Sequence, residues 1–457
     1  MSARIVIVGG GSVGMYTALR LQKKLRRREA EVTVINPQSY MTYQPFLPEA
    51  AAGSIEPRHV VVPLRKVLRR CVHVTGRVTA ISHATRAVTV ELPGGNVVTL
   101  GYDVLVVAPG SVARTLPVPG LAEHGIAFKT VGEAIYLRNH VLSRLDAAST
   151  TLDPRLRRKL LTFLVVGGGY AGIEALAELA DMTRYATRYY ENVSPEDLRW
   201  VLVEAAGRIM PEVGPTLGRY TVERLLEAGI EIFLDTRVTS MVGGHVVLDD
   251  GTEFDADTII WTAGVKPNPM LEHTDLPRDA RGRVECAADL QVVGMPGVFS
   301  AGDCAAVPDL SKDDPDARTS PSAQHAVRQA KVLADNVLAY LRGKPLRTYK
   351  HSYAGSVASL GLYKGVAEIY GIKLRGILAW FMHRTYHLSR MPTWNRRIRI
   401  GFDWFGALVF GREVVSLGQL HEPKAEFDRV ARTTAPPSEP DTAPASPRSA
   451  TGARGGP

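Results

Sequence analysis

One phrase occurs twice in this chain, as IVIVGGGSVGMYTALRL at residues 5–21 and as FLVVGGGYAGIEALAEL at residues 163–179. In each copy an unbroken apolar run, Ile5 to Val8 or Phe163 to Val166, leads into glycines at G-x-G-x-x-G spacing and then into a helical pattern. Each glycine has a mechanical task. Gly9 and Gly167 make the tight turn, Gly11 and Gly169 let the backbone approach a pyrophosphate, and Gly14 and Gly172 let helix lie against strand. The helix that follows aims unpaired N–H groups at the phosphates. A chain built on two such loops is constrained to an α/β fold of two Rossmann-like dinucleotide-binding domains.

The two units differ where the ribose should sit. In the first, the strand EVTVI runs into Asn36, 22 residues past Gly14; in the second, WVLVE ends on Glu204. A carboxylate accepts from both ribose hydroxyls and repels a 2′-phosphate, so the second unit is expected to prefer NADH to NADPH, with Arg208 nearby as a counter-signal. Asn36 still offers an amide oxygen but no charge, and charge-assisted bonds are about twice as strong as neutral ones. The first unit is therefore expected to hold its nucleotide more weakly without losing it. The repetition extends further, to the turns LPGGNVV and LDDGTEF and to the segments GYDVLVVAPGS (101–111) and DADTIIWTAGVK (255–266), which put Gly110 and Gly264 at equivalent places. This order predicts the second domain as an insertion in the first.

At 457 residues and 45% hydrophobic composition the chain has material for two or three domains. Cys71, Cys286 and Cys304 form no C-x-x-C, which speaks against a disulfide framework or dithiol relay and for a reducing compartment. No run approaches the roughly 18 to 20 apolar residues of a membrane-spanning helix, and the N-terminal apolar run is too short for a secretory signal. No His, Cys or Asp cluster has metal-ligand spacing, so no metal is expected. The formal charge is +9, and residues 371–420 hold eight cations against Asp403 and Glu413, together with Trp380, Trp394, Trp404 and four phenylalanines. Such a basic, aromatic, amphipathic stretch reads as an interfacial anchor for an anionic membrane surface, with a subunit interface as the alternative. Without a recognition module, nucleic acid is not expected as a partner. Residues 431–457, rich in Pro, Ala and Thr, are expected to be disordered.

The motifs GGGSVG, MTYQPFLPEAAAG, VVAPGS, GGGYAGIEALAEL, WTAGVKPNP, FSAGDCAAVP and AQHAVRQA together resemble those of the two-dinucleotide flavoprotein reductases, and among them the type II NADH dehydrogenases, which pass electrons from NADH to quinone without pumping protons. The resemblance covers roughly residues 4–420. It implies FAD on the first unit, held by Gly9, Gly11, Gly14, Asn36, Gln44, Gly110, Gly302 and Asp303, and NADH on the second, held by Gly167, Gly169, Gly172, Glu204 and Gly264. It also implies that Glu174 stands in the first turn of its helix beside the nicotinamide, and that Gln324 hydrogen-bonds the flavin edge from a helix capped by Ser320 with Pro321 at its first position. Relatives often place two glutamines four residues apart on that helix; here Arg328 follows Gln324, and Gln329 is turned about 100° away. His325 beside them is expected to be an ordinary packed or solvated histidine.

The expected domains are 1–128 with 274–350 for FAD, 129–273 for NADH, a helical membrane-association region at 351–430, and the tail. The implied setting is the cytoplasmic face of the membrane, with a quinone, menaquinone by expectation, as acceptor. Whether the chain forms a homodimer is left open. Two other activities remain: a soluble NADH-dependent ferredoxin reductase, and a flavoprotein sensor that binds NADH without turnover.

Overall fold

The computed structural model describes residues 2–351, 355–418 and 422–434. Met1–Ser416 form one compact unit; Leu417–Pro457 form another, whose helix is Ala425–Thr434. Residues 431–434, expected to be disordered, thus end a helix, and the rest of that tail lies outside the described residues.

Ala3–Val8 is the middle strand of a five-stranded parallel sheet in the order Val298–Ser300, Val104–Val107, Ala3–Val8, Ala30–Asn36, Val72–Thr75. Ile5 through Val8 are all buried, as befits a strand covered on both faces. Each such side chain contributes roughly 1.5–3 kcal/mol of transfer free energy. The second sheet repeats the plan with Gly125–Ala127, Thr258–Trp261, Thr162–Val166, Arg199–Val203 and Ile230–Phe233. Because Val298–Ser300 returns to the first sheet after the whole second sheet has been laid down, the second domain is an insertion. The crossing comes before the expected boundary at 128, since Gly125–Ala127 already pairs with Thr258–Trp261.

Each glycine loop feeds a helix, α1 (Ser12–Lys24) or α2 (Tyr170–Ala186). A third, α3 (Ala323–Leu341), returns to the first unit, where Arg20 and Lys24 of α1 both reach Asp335 at 2.7 Å. Its cap is Ser322, which accepts from the His325 N–H, and not Ser320. The start is delayed because Thr319 is still extended: its N–H donates to the Val307 carbonyl and its hydroxyl accepts from Gln329.

The C-terminal region, expected to be helical, opens with a three-stranded antiparallel sheet, Gly355–Ser359, Gly365–Ile369 and Ile372–Arg375. Helices α4 (Gly376–Arg390) and α5 (Trp394–Phe410) follow. Along α5, Trp394, Ile398, Phe402, Phe405 and Val409 are exposed at a spacing of three to four residues, forming one apolar stripe. No helix among the described residues is long and apolar enough to cross a membrane.

Candidate functional site

The two glycine loops have matching geometry. Gly9 and Gly167 adopt φ of +100° and +112°, a region closed to ordinary side chains. A Cβ on Gly14 would stand 1.8 Å from the Gly9 carbonyl oxygen, and one on Gly172 would stand 2.0 Å from that of Gly167. At Gly11 and Gly169 the same atom meets nothing within 4 Å. The outer glycines are thus demanded by the protein's own packing, while the middle ones border the open space a dinucleotide backbone needs. Gly110 and Gly264 border open space in the same way.

Asn36 and Glu204 each hold their own loop. The Asn36 Oδ1 accepts from the Gly10 N–H at 2.8 Å, and its Nδ2 donates to the Gln38 carbonyl at 2.7 Å. Glu204 accepts from the Gly168 N–H at 2.5 Å and from the Ala206 N–H at 2.8 Å. For bracing the loop, then, the amide serves as well as the acid. What Asn36 lacks is charge and a second acceptor for a ribose. Arg208 donates to the Pro211 carbonyl of its own loop.

The units meet along paired equivalents. Ser111–Ala113 of the first pairs antiparallel with Val265–Pro267 of the second. The Asn268 N–H donates to the Gly110 carbonyl and the Arg114 N–H to the Gly264 carbonyl, both at 3.1 Å. This reciprocal tie brings together the carboxyl ends of two parallel sheets, the edges where open α/β sheets bind ligands. Asp303 and Gly302 lie on this seam: Ser111 donates to Asp303 at 2.6 Å, and the Lys129 ammonium donates to the Ser111 hydroxyl at 2.6 Å while standing 3.8 Å from Asp303. Gln44 donates to the Lys129 carbonyl at 3.2 Å. Burial lowers the Lys129 pKa against the pull of Asp303 and Glu133. Lys129 escaped the sequence reading; its one signal was its place before the Thr130–Glu133 capping box.

Glu174 begins the second turn of α2 rather than sitting in the first. It opens a row of acids bound to the C-terminal region. Its Oε1 accepts from the Ser359 N–H at 3.0 Å and lies 3.1 Å from Nε2 of His383 on α4. Glu178, wholly buried, accepts from the Ser359 hydroxyl at 3.0 Å and pairs with Arg412 at 2.9 Å, and Asp181 accepts from the Leu362 N–H at 2.6 Å. The first unit is gripped too: Arg384 of α4 meets buried Glu49 at 2.9 Å, stacked between Trp380 and Trp404, and the Trp404 indole N–H also reaches Glu49. Arg384 and Arg412 are therefore internal pairs, and Arg397 donates to the Ser389 and Met391 carbonyls. The surface of this region is less basic than its composition suggested.

Gln324 stands in the first turn of α3, as expected, but its amide is engaged by the chain that follows: Nε2 donates to the Gly355 carbonyl and Oε1 lies 3.1 Å from His351 Nε2. Arg328 donates to the Gln324 carbonyl. Gln329, fully buried, accepts from the Gly302 N–H at 2.7 Å and so braces the loop that carries Asp303. His325 is packed against the Tyr349 hydroxyl at 2.9 Å.

Residues 3–330 match the family model of pyridine nucleotide-disulphide oxidoreductases, and residues 353–413 match the NDH2 C-terminal domain. The chain belongs to the pyridine nucleotide-disulphide oxidoreductase class of flavoproteins. Within it, the chain belongs to the type II NADH:quinone oxidoreductases, with FAD and NADH as cofactors, as the motif resemblance implied. It is 32% identical over 416 residues to the type II NADH:quinone oxidoreductase Ndh of Mycobacterium tuberculosis, covering 88% of this chain and 87% of the relative. It is 30% identical over 388 residues to the type II NADH:quinone oxidoreductase of Staphylococcus aureus, covering 83% and 93%. In fold it is similar to NDH2 of Plasmodium falciparum in complex with NADH, with a TM-score of 0.83 at 18% identity over 91% of this chain and 100% of that one.

Proposed function

We propose that the site performs two-step electron transfer from NADH to a membrane quinone, with FAD seated on the first unit and NADH on the second. The reading rests on the reciprocal Gly110–Asn268 and Gly264–Arg114 tie, which turns the open ends of both nucleotide loops toward one seam. FAD, when bound, supplies acceptance of a hydride equivalent and its release as two electrons. Gly9, Gly11, Gly14 and Asn36 would receive its adenosine and pyrophosphate, and Gln44, Gly110, Gly302 and Asp303 the remainder. Gly167, Gly169, Gly172, Glu204 and Gly264 would hold NADH. Lys129, half-desolvated beside Asp303, supplies a cation where the first nucleotide's negative charge would lie. We assign Glu174 on α2, and Gln324 and Arg328 on α3, to the reaction; Ser359 and His383 hold the Glu174 carboxylate in place.

The quinone would arrive from a membrane met by the apolar stripe of α5, on the cytoplasmic face, a setting favoured by three free cysteines. Menaquinone is the acceptor we assign. The test is the absorbance spectrum of purified protein: bleaching by NADH and recovery on adding a menaquinone analogue are expected. A colourless protein, or one bleached by NADH that no quinone reoxidises, overturns the reading.

A further inference from the structure

A cleft lies outside the nucleotide seam, between the end of α1, the segment 63–70 and the start of α5. It encloses about 550 Å³, and five of its lining side chains are cations, Lys23, Lys66, Arg69, Arg70 and Arg396, with no carboxylate in the lining. Among the described residues none of the five forms an ion pair within 4.0 Å. The contrast with their neighbours is local: Arg20 and Lys24, on the same helix as Lys23, both pair with Asp335. Arg396 is partly withdrawn from water, and burial and Arg399 both disfavour its charge. Uncompensated like charges around one cavity make a standing positive potential that an anion would relieve. Thr393 and Asn395, at the start of α5, complete the lining, so the first-turn N–H groups of that helix add to the field. Beside them Trp394, 74% exposed, begins the apolar stripe.

We propose that this cleft binds the phosphate head group of an anionic phospholipid whose acyl chains lie against the α5 stripe. The inference rests on the reading that α5 meets a membrane. A basic pocket and an apolar stripe that share one helix end match the two halves of a lipid; a free phosphate would use only the first.

The test uses the full-length holoprotein and sedimentation with vesicles of phosphatidylcholine, alone or mixed with phosphatidylglycerol. The native protein should partition onto the mixed vesicles roughly a hundredfold more strongly, and the triple variant K23Q/K66Q/R396Q should fall to near the phosphatidylcholine level. The single variants K23Q and K66Q, at exposed positions, should each lose about fivefold, which keeps the test open should the triple variant fail to fold. F402S/F405S should lose both vesicle types. Full phosphatidylglycerol preference in the neutralised variants overturns the proposal. Equal partitioning of the native protein onto both vesicles refutes the cleft but leaves the membrane reading standing, whereas binding to neither removes both. Release from mixed vesicles by inorganic phosphate, but not by chloride at matched ionic strength, is expected of a cleft that seats the head-group phosphate; equal release by the two salts overturns the seat.

Discussion

Nε2 of His383 lies 3.1 Å from Oε1 of Glu174, and both side chains are shut off from water. Burial alone disfavours the imidazolium, but Glu174 and Glu49 outweigh it against the opposing Arg384, so His383 titrates above the ordinary histidine range. His387, one turn on, is driven well below that range by its burial and by His383. Two histidines shifted in opposite directions thus sit four residues apart on α4, and only the first faces an acid.

A group whose pKa rises on folding stabilises most at low pH. The His383 contribution should be complete below about pH 6.5, the unfolded value, and fade as pH climbs through the higher folded value. His383→Gln should cost about 3 kcal/mol near pH 6, and less at pH 9, because it leaves Glu174 buried without its cation. Urea unfolding across that range measures it; a pH-independent loss would rule out the charged pair.

Arg384→Met should cost about 3–5 kcal/mol by leaving Glu49 unpaired, and the double variant E49Q/R384M should recover much of it. Arg384→Lys should rescue poorly, since an ammonium cannot lie flat between Trp380 and Trp404. A double-mutant cycle in urea decides, and strictly additive losses would contradict the pairing.

Gly14→Ala should unfold or misplace α1, because its methyl would collide with the Gly9 carbonyl. Gly11→Ala has room in the protein and should leave the melting temperature of the flavin-free form within about 1 °C, a surface-like effect, while sharply lowering flavin content on reconstitution. Equal flavin content in Gly11→Ala and native protein would exclude that loop as the FAD site.

Glu204→Gln removes one acceptor and the charge that repels a 2′-phosphate. The ratio of kcat/KM for NADH over NADPH should fall by roughly tenfold, about 1.4 kcal/mol. An unchanged ratio would move nucleotide selection elsewhere.

The nucleotide units were legible in the sequence because each is written locally: strand, glycine turn, helix and ribose residue lie within a few dozen positions, and their periods change at the turn. Gly9, Gly14 and their counterparts adopt the geometry their spacing demanded. Where two local solutions competed, sequence alone chose wrongly. Ser320 before Pro321 satisfies the rules for a helix start, but Ser322 satisfies them too, and the contact between Thr319 and Gln329, a tertiary fact, decides. The charged residues of α4 were misread for the same reason. Arg384 looks like a surface cation until the fold delivers Glu49 to it, and Gln324 looks available until His351 and Gly355 meet its amide. Lys129 carried no motif, and its role follows only from Ser111 and Asp303 converging on it.

Helix α4 reaches Glu49 on one nucleotide unit and Glu174 on the other, and Arg412 after α5 clasps Glu178. Residues 355–416 therefore work as a strap across both halves, so cutting them away to obtain a more tractable enzyme would strip Glu49 and Glu178 of their arginines and Glu174 of His383, and leave the halves free to part. Protein engineers seeking a detergent-free form should repaint the greasy side of α5 residue by residue, leaving the strap whole.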